Sequence, residues 1–344
     1  MVLPGIRKAG GIKMIDCMTN RCRGSLAVAA VCIGTLGWSF AAAADDYSQW
    51  AHSCIITLNT SASGANVATP QTGFPVLIRL TSATPAFVFS QALAGGLDIR
   101  FANSSGTHLP YQIERFDQAG QLAEIWVKTD VNASDATQFI TMYWGKAGVP
   151  DSSNGAAVFN NGFAGVWHMG DATTGVRMDA TANGFKDSTY NYTANSSTSG
   201  IIGRADTLIG GAPWTPAASQ YLKVPVDMGP FNGSLTYSVW AYPTNIVGQN
   251  RLIDFNTDTA ICHAPTWTCR ARDNIVLSNN AGAIYAQVFR DSSDQGKVAA
   301  PAGSFEANVW QHITLTISGA TGTIYKNGAQ IATGTFTSAI YPNT

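Results

Sequence analysis

Between Asn308 and Ala332 the chain reads as one half-buried antiparallel hairpin, and little else in the sequence limits the fold so tightly. Gln311, Ile313, Leu315 and Ile317 fall on one side of an extended segment, and Trp310, His312, Thr314, Thr316 and Ser318 on the other. Asn327-Gly328 supplies the corner, because a type I′ turn needs positive φ at both central residues. That corner sets the expected register, with Ile324 opposite Ile331 and Tyr325 opposite Gln330. A hairpin with one apolar face requires a second layer to cover it, so the pattern predicts a β-sandwich.

The start of the chain reads as a secretory leader. Arg21 and Arg23 precede an apolar run from Leu26 to Phe40, and Ala41 to Ala44 provide small residues ahead of Asp45. Export with cleavage near Ala44 is expected, and initiation at Met18 would give a more ordinary basic region than Met1. The apolar run is short for a membrane span, and no later run is long enough, so no membrane insertion of the mature chain is expected. Removing the leader takes away Arg7, Lys8, Lys13, Arg21, Arg23 and Asp16, leaving 15 basic and 20 acidic side chains. A mildly acidic chain without basic clusters has no electrostatic footprint for nucleic acid or anionic lipid.

Three cysteines remain: Cys54, Cys262 and Cys269. In an oxidising compartment Cys262 and Cys269 are expected to form a disulfide across a short loop. The competing reading is a metal site with His263, which lacks an evident fourth ligand. Cys54 reads as a small buried hydrophobe.

About 300 residues suit two domains, placed at 45–157 and 158–344. In the first, short apolar segments at Phe74–Leu80, Leu97–Phe101, Leu109–Phe116, Leu122–Lys128 and Gln138–Trp144 recur at the spacing of an all-β domain. Only Pro85–Ala94 offers a helical turn. Asp98 and Arg100, at i and i+2, are expected to share a strand face and pair; with Glu114 and Glu124 they form either a polar site or a set of ion pairs that fixes strand register.

Five motifs in order then point to a family. They are Gly96-Leu97-Asp98-Ile99-Arg100-Phe101, Leu109-Pro110-Tyr111-Gln112-Ile113-Glu114, Glu124-Ile125-Trp126-Val127-Lys128, Tyr143-Trp144-Gly145-Lys146 and Gly165-Val166-Trp167-His168. Together they resemble a bacterial domain of unknown function that often precedes LamG domains. Downstream, Ser238-Val239-Trp240, Trp310-Gln311-His312 and Tyr325-Lys326-Asn327-Gly328 resemble a LamG-like, concanavalin A-type jelly roll. There Leu235, Tyr237, Val239 and Ala241 share one strand face. The resemblance implies an all-β protein of two β-sandwich domains, the second a jelly roll. Such domains close with further strands after the hairpin, so this one is expected to be incomplete at its C-terminus.

Candidate chemistry is sparse. Glucanases of this fold place carboxylates at alternate residues of one strand, whereas the nearest approach here is Asp254-Phe255-Asn256-Thr257-Asp258, with a neutral amide in the middle. Asp254, Asn256 and Asp258 instead present oxygens on one side of an extended segment, which suits Ca²⁺. Asp171, Asp179, Asn183 and Asp187 form a second set of oxygen ligands for Ca²⁺; the competing reading makes both sets turn formers. For a glycan, Trp214, Trp267, Tyr190 and Tyr192 lie in loop-like surroundings, while Trp240 and Trp310 are assigned to the core. No nucleophile elbow, phosphate loop or His-Glu-x-x-His pair is present.

The expected function is an exported, non-catalytic recognition module for a glycan or a cell-surface protein. The alternative is a structural or periplasmic extension of a larger TolQ-type proton-channel assembly, a context that the family resemblance implies. Glycoside hydrolysis ranks below both.

Overall fold

The computed structural model describes residues 46–170, 176–190, 197–210, 220–224, 234–256, 274–290 and 293–337, without the side chains of 186–190, 256 and 290. The leader expected over 1–44 lies outside them. Among the described residues the backbone divides into two compact units, the first up to Val158 without Ala65–Thr69, and the second from Phe159 onward together with that short segment.

Six strands form the first unit: β1 (His52–Thr57), β2 (Gln71–Thr81), β3 (Arg100–Asn103), β4 (Tyr111–Asp117), β5 (Leu122–Val131) and β6 (Phe139–Trp144). They make two three-stranded antiparallel sheets, ordered β1-β6-β3 and β2-β5-β4. Alternate residues are buried, as the period of two demands: Cys54 and Ile56 on β1, Ala123, Ile125 and Val127 on β5, Ile140, Met142 and Trp144 on β6. Pro75 is tolerated in β2 because that strand is an edge, where a missing N–H breaks no ladder. The Pro85–Ala94 segment forms only 3-10 turns, at Phe89–Gln91 and Ala94–Gly96.

Polar side chains knit this unit together. Arg79, Glu124 and Arg115 lie side by side across β2, β5 and β4. Fully buried Glu124 receives Arg79 on Oε1 (2.9 and 2.8 Å) and Arg115 on Oε2 (3.0 and 2.8 Å). This is the register-fixing role. The Asp98–Arg100 pair expected from sequence does not form, because Asp98 sits in the turn before β3. Its Oδ1 accepts from the Leu93 N–H and its Oδ2 from the Gly145 and Lys146 N–H groups. Arg100 donates instead to the carbonyls of Leu97, Ile99 and Pro150 and to the Tyr111 hydroxyl. Burial pushes the Tyr111 hydroxyl up to about 12.

Thirteen strands are described in the second unit. Five short ones are β7 (Val176–Met178), β8 (Lys186–Tyr190), β9 (Ser197–Ser199), β10 (Arg204–Asp206) and β11 (Tyr221–Lys223). The main body consists of β12 (Ser234–Ala241), β13 (Gln249–Asn256), β14 (Asn274–Asn280), β15 (Ala283–Arg290), β16 (Ser293–Ala299), β17 (Gln311–Ser318), β18 (Thr321–Lys326) and β19 (Ala329–Thr335). Two four-stranded antiparallel sheets result, ordered β12-β17-β18-β19 and β13-β14-β15-β16. Their inner faces share one core of Tyr237, Ile275, Leu277, Ile284, Ala286, Val288, Val298, Phe305, Ile313, Leu315, Ile317, Ile324 and Phe336. Each fully buried Ile or Leu there contributes about 1.5–3 kcal/mol.

The corner at Asn327-Gly328 has φ of 50° and 77°, as a type I′ turn requires. Tyr325 faces Gln330, but Ile324 faces Ala332 and not Ile331, because Ile331 is an extra residue in a β-bulge. The bulge lets Ile331 and Ala332 both lean on the core. It also shifts the rest of β19 by one residue, so Thr333 and Thr335 turn outward and Gly334 comes opposite Gly322. That glycine pair leaves room for buried Phe336 and Val298: a Cβ on Gly322 would lie 2.7 Å from the Phe336 ring, and one on Gly334 would lie 3.1 Å from Val298.

Candidate recognition surfaces

The outward face of the β12-β17-β18-β19 sheet follows directly from its register. Its rows are Trp240–His312, then Ser238–Thr314–Tyr325–Gln330, then Thr236–Thr316–Thr323–Thr333, then Ser234–Ser318–Thr321–Thr335. All of these side chains are exposed or half-buried, and none is acidic, lysine or arginine. His312 is held neutral near pH 7, since burial lowers its pKa. The Thr323 and Thr333 hydroxyls meet at 3.1 Å, a cross-strand hydrogen bond.

One end of this face is aromatic. Trp240 lies 5.1 Å from His312, and Tyr242, 45% exposed, lies 5.5 Å from Trp310. The core placement expected for Trp240 and Trp310 is therefore corrected. Strand period alone puts Trp240 on the side opposite Tyr237 and Val239, and Trp310 on the side opposite Gln311, so both are half-buried on the outer surface.

The β13-β14-β15-β16 sheet presents different chemistry. Its outward rows are Asp254–Val276–Gln287–Lys297 and Asn256–Asn274–Phe289–Asp294. Arg251 is ion-paired to Asp254 Oδ2, and Gln287 Nε2 donates to Asp294 Oδ2 at 2.9 Å. Asp254 Oδ1 and Asn274 Oδ1 are both buried, and neither has a hydrogen-bond partner.

Of the residues singled out in the sequence, Asp254 is brought to this outward face near the end of β13, where Asn256 is placed by backbone only. Asp179 and Asn183 occupy one turn, and both point back at the backbone. The Asp179 carboxylate accepts from the N–H groups of Val166, Thr181 and Phe185 and from the Thr181 hydroxyl at 2.6 Å. Asn183 Nδ2 donates to the Ala164 carbonyl at 2.9 Å. Tyr190 and Asp187 are placed in β8 by backbone only. Asp171, Tyr192, Trp214, Asp258, Cys262, Trp267 and Cys269 lie outside the described residues. Among the described residues no group of three or more His, Cys, Asp or Glu side chains gathers to hold a metal ion. Cys54 is buried in β1. No described helix is long and apolar enough to cross a membrane.

Asn274 and Phe289 escaped the sequence reading. Each looks ordinary alone, and only the pairing of β14 with β13 and β15 sets Asn274 diagonal to Asp254 and Phe289 across from Asn274. The hydroxyl rows were half visible as alternation in β17, but the bulge that turns Thr333 and Thr335 outward has no sequence signal.

With both surfaces defined, comparison with known proteins gives the chain its relations. Residues 95–168 match the domain of unknown function DUF2341, and residues 216–344 match the concanavalin A-like lectin/glucanases superfamily. The chain joins these two domains in that order. The all-β architecture and the jelly-roll nature of the second domain thus stand. A solved structure of the mouse laminin alpha1 chain, domains LG4-5, shares 11% identity over 92% of this chain and 84% of that one, with a TM-score of 0.23. That likeness is too slight to bear on fold or function. No curated protein matches the chain.

Proposed function

We propose that the chain is an exported, non-catalytic recognition module that binds a neutral glycan on the outward face of the β12-β17-β18-β19 sheet. The supporting observation is the uncharged grid of Ser and Thr hydroxyls ending in Trp240, Tyr242 and Trp310. Hydroxyls that donate and accept match sugar hydroxyls, and flat rings take the apolar faces of pyranoses. A face without formal charge has nothing to offer a sulfated or uronic polymer.

The spacing of carboxylates supports the non-catalytic part. Asp254 stands on the outward side of β13, and in the neighbouring row on that face the described carboxylate is Asp294, three strands away. At about 4.8 Å per strand that is roughly 14 Å. Glycoside hydrolysis needs its two carboxyl groups about 5–9.5 Å apart.

Co-sedimentation with insoluble neutral polysaccharides (cellulose, chitin, β-1,3-glucan), against heparin in solution, tests the reading. Retention on at least one neutral polymer, lost in a Trp240→Ala/Tyr242→Ala variant, is expected. Heparin binding alone, or retention indifferent to both substitutions, would overturn it.

A further inference from the structure

The first unit has an open cleft where the β3–β4 and β5–β6 connections meet the start of β2. Its volume is about 540 Å³, inside the range of about 300–1,000 Å³ usual for small-molecule sites. Leu109 and Thr129 in its wall are buried, whereas Ser104, Asp130 and Thr137 around it are exposed, so solvent and solutes reach it.

Its polar side chains are already held in place. Asp130 Oδ1 accepts from the Gly73 N–H at 2.7 Å, which Gly73 offers from a bulge at φ 58°. That leaves Asp130 Oδ2 for a ligand. Gln138 braces the same corner, accepting from the Asn132 N–H at 2.8 Å and donating to the Asp130 carbonyl at 2.6 Å. Asn103 Oδ1 takes the N–H groups of Ser105 and Thr107, both at 3.0 Å, which leaves Nδ2 as a spare donor.

Charge decides what fits. Among the residues lining the cleft the formal charges are Lys128 and Asp130, one of each sign. They stand at i and i+2 of β5, on one face and about 6.6 Å apart along the strand. A bare metal ion or a phosphate is attracted by one and repelled by the other, whereas a ligand with both charges is attracted at each end. An extended peptide covers about 3.3–3.6 Å per residue, so two residues set a free ammonium and a free carboxylate about as far apart as the two side chains. An ammonium has three donors, so Lys128 can keep a protein neighbour and still take a carboxylate. Asn103 Nδ2 suits the carbonyl of the peptide bond between, and Leu109 and Phe139 offer apolar surface to its side chains.

We infer that this cleft binds a short peptide with free ends, about two residues long, its ammonium on Asp130 and its carboxylate on Lys128. Every residue involved belongs to the first unit, so the inference does not rest on the glycan reading.

Isothermal titration calorimetry on the full chain tests it, with leucylleucine, alanylphenylalanine, valylalanine and glycylglycine as probes. At least one is expected to bind, and to lose tenfold or more in affinity when its amino end is acetylated or its carboxyl end amidated. Asp130→Asn keeps an acceptor for the Gly73 N–H but should weaken binding tenfold or more and abolish the acetylation penalty. Lys128→Met should do the same for the amidation penalty. Asp130 is exposed, so its variant keeps the test decisive should Lys128→Met fail to fold. Binding of none of the four probes overturns the inference. So does affinity indifferent to both end modifications, affinity unchanged in Asp130→Asn, or free leucine bound as tightly as leucylleucine. Trp240→Ala/Tyr242→Ala should leave peptide binding intact, and its loss there would overturn the assignment to this cleft.

Discussion

Replacing Glu124 by Gln probes the part of the first unit where charge and register are joined. The glutamate is fully buried, and both of its oxygens are taken by arginines from the two flanking strands. Glutamine keeps the volume but offers one acceptor oxygen, and its NH2 group would face the other guanidinium, donor against donor. Breaking a fully buried ion pair costs about 3–5 kcal/mol. Here the cost is lower, because Arg79 and Arg115 side chains are 46% and 28% exposed and can turn to water. A lower bound is the loss of one hydrogen bond to a charged group, about 1.5–3 kcal/mol. The expected destabilisation is therefore about 2–3 kcal/mol, carried by the first unit. Native-state hydrogen exchange of β5 amides in the full chain reads it, since protection should fall on the order of 30- to 150-fold. Exchange of the β17 amides serves as the internal control and should stay constant. A fall below threefold would refute the argument that the carboxylate holds three strands in register.

Three further outcomes are expected. Acidification should weaken the second unit: His312 has a folded pKa below its unfolded value of about 6.5, so its stabilisation is complete above that pH and is lost as pH falls toward the folded pKa. Thermal unfolding between pH 7.5 and 5 should show this slope, and a His312→Gln variant should flatten it; an identical slope in the variant would contradict the assignment. Gly328→Val places a β-branched residue at φ 77° and should cost about 1–2 kcal/mol in urea unfolding, whereas no loss would mean that the corner is not left-handed. Gly322→Val drives a side chain into the Phe336 ring and should cost about 1–3 kcal/mol, while Thr323→Val, on the outward face, should change stability by less than about 0.5 kcal/mol.

Much of the second domain was legible because one pattern spoke for both local structure and packing. Alternation in β17 named its buried face, and Asn327-Gly328 named the turn, since each depends only on neighbours in sequence. The register one step further failed at Ile331, because a bulge is decided by what the next layer must accommodate, here Phe336 and Val298 beneath a glycine pair. Asp98 and Arg100 misled for a similar reason. Spacing of i and i+2 implies a shared face only inside a strand, and Asp98 lies in the turn before β3, where backbone N–H groups compete for its oxygens. Trp240 and Trp310 went wrong through residue type, since the prior that tryptophan is buried outweighed the period that put both on the outside. Asn274 was invisible because an amide in a strand gains meaning only from its neighbour on the next strand.

Mapping a bound neutral polysaccharide fragment by amide chemical-shift perturbation tests the recognition reading most directly. Changes concentrated on the outward rows of β12, β17 and β18, strongest around Trp240, His312 and Tyr325, are the expected result. Changes confined to the first unit, or no changes at saturating fragment, would contradict it.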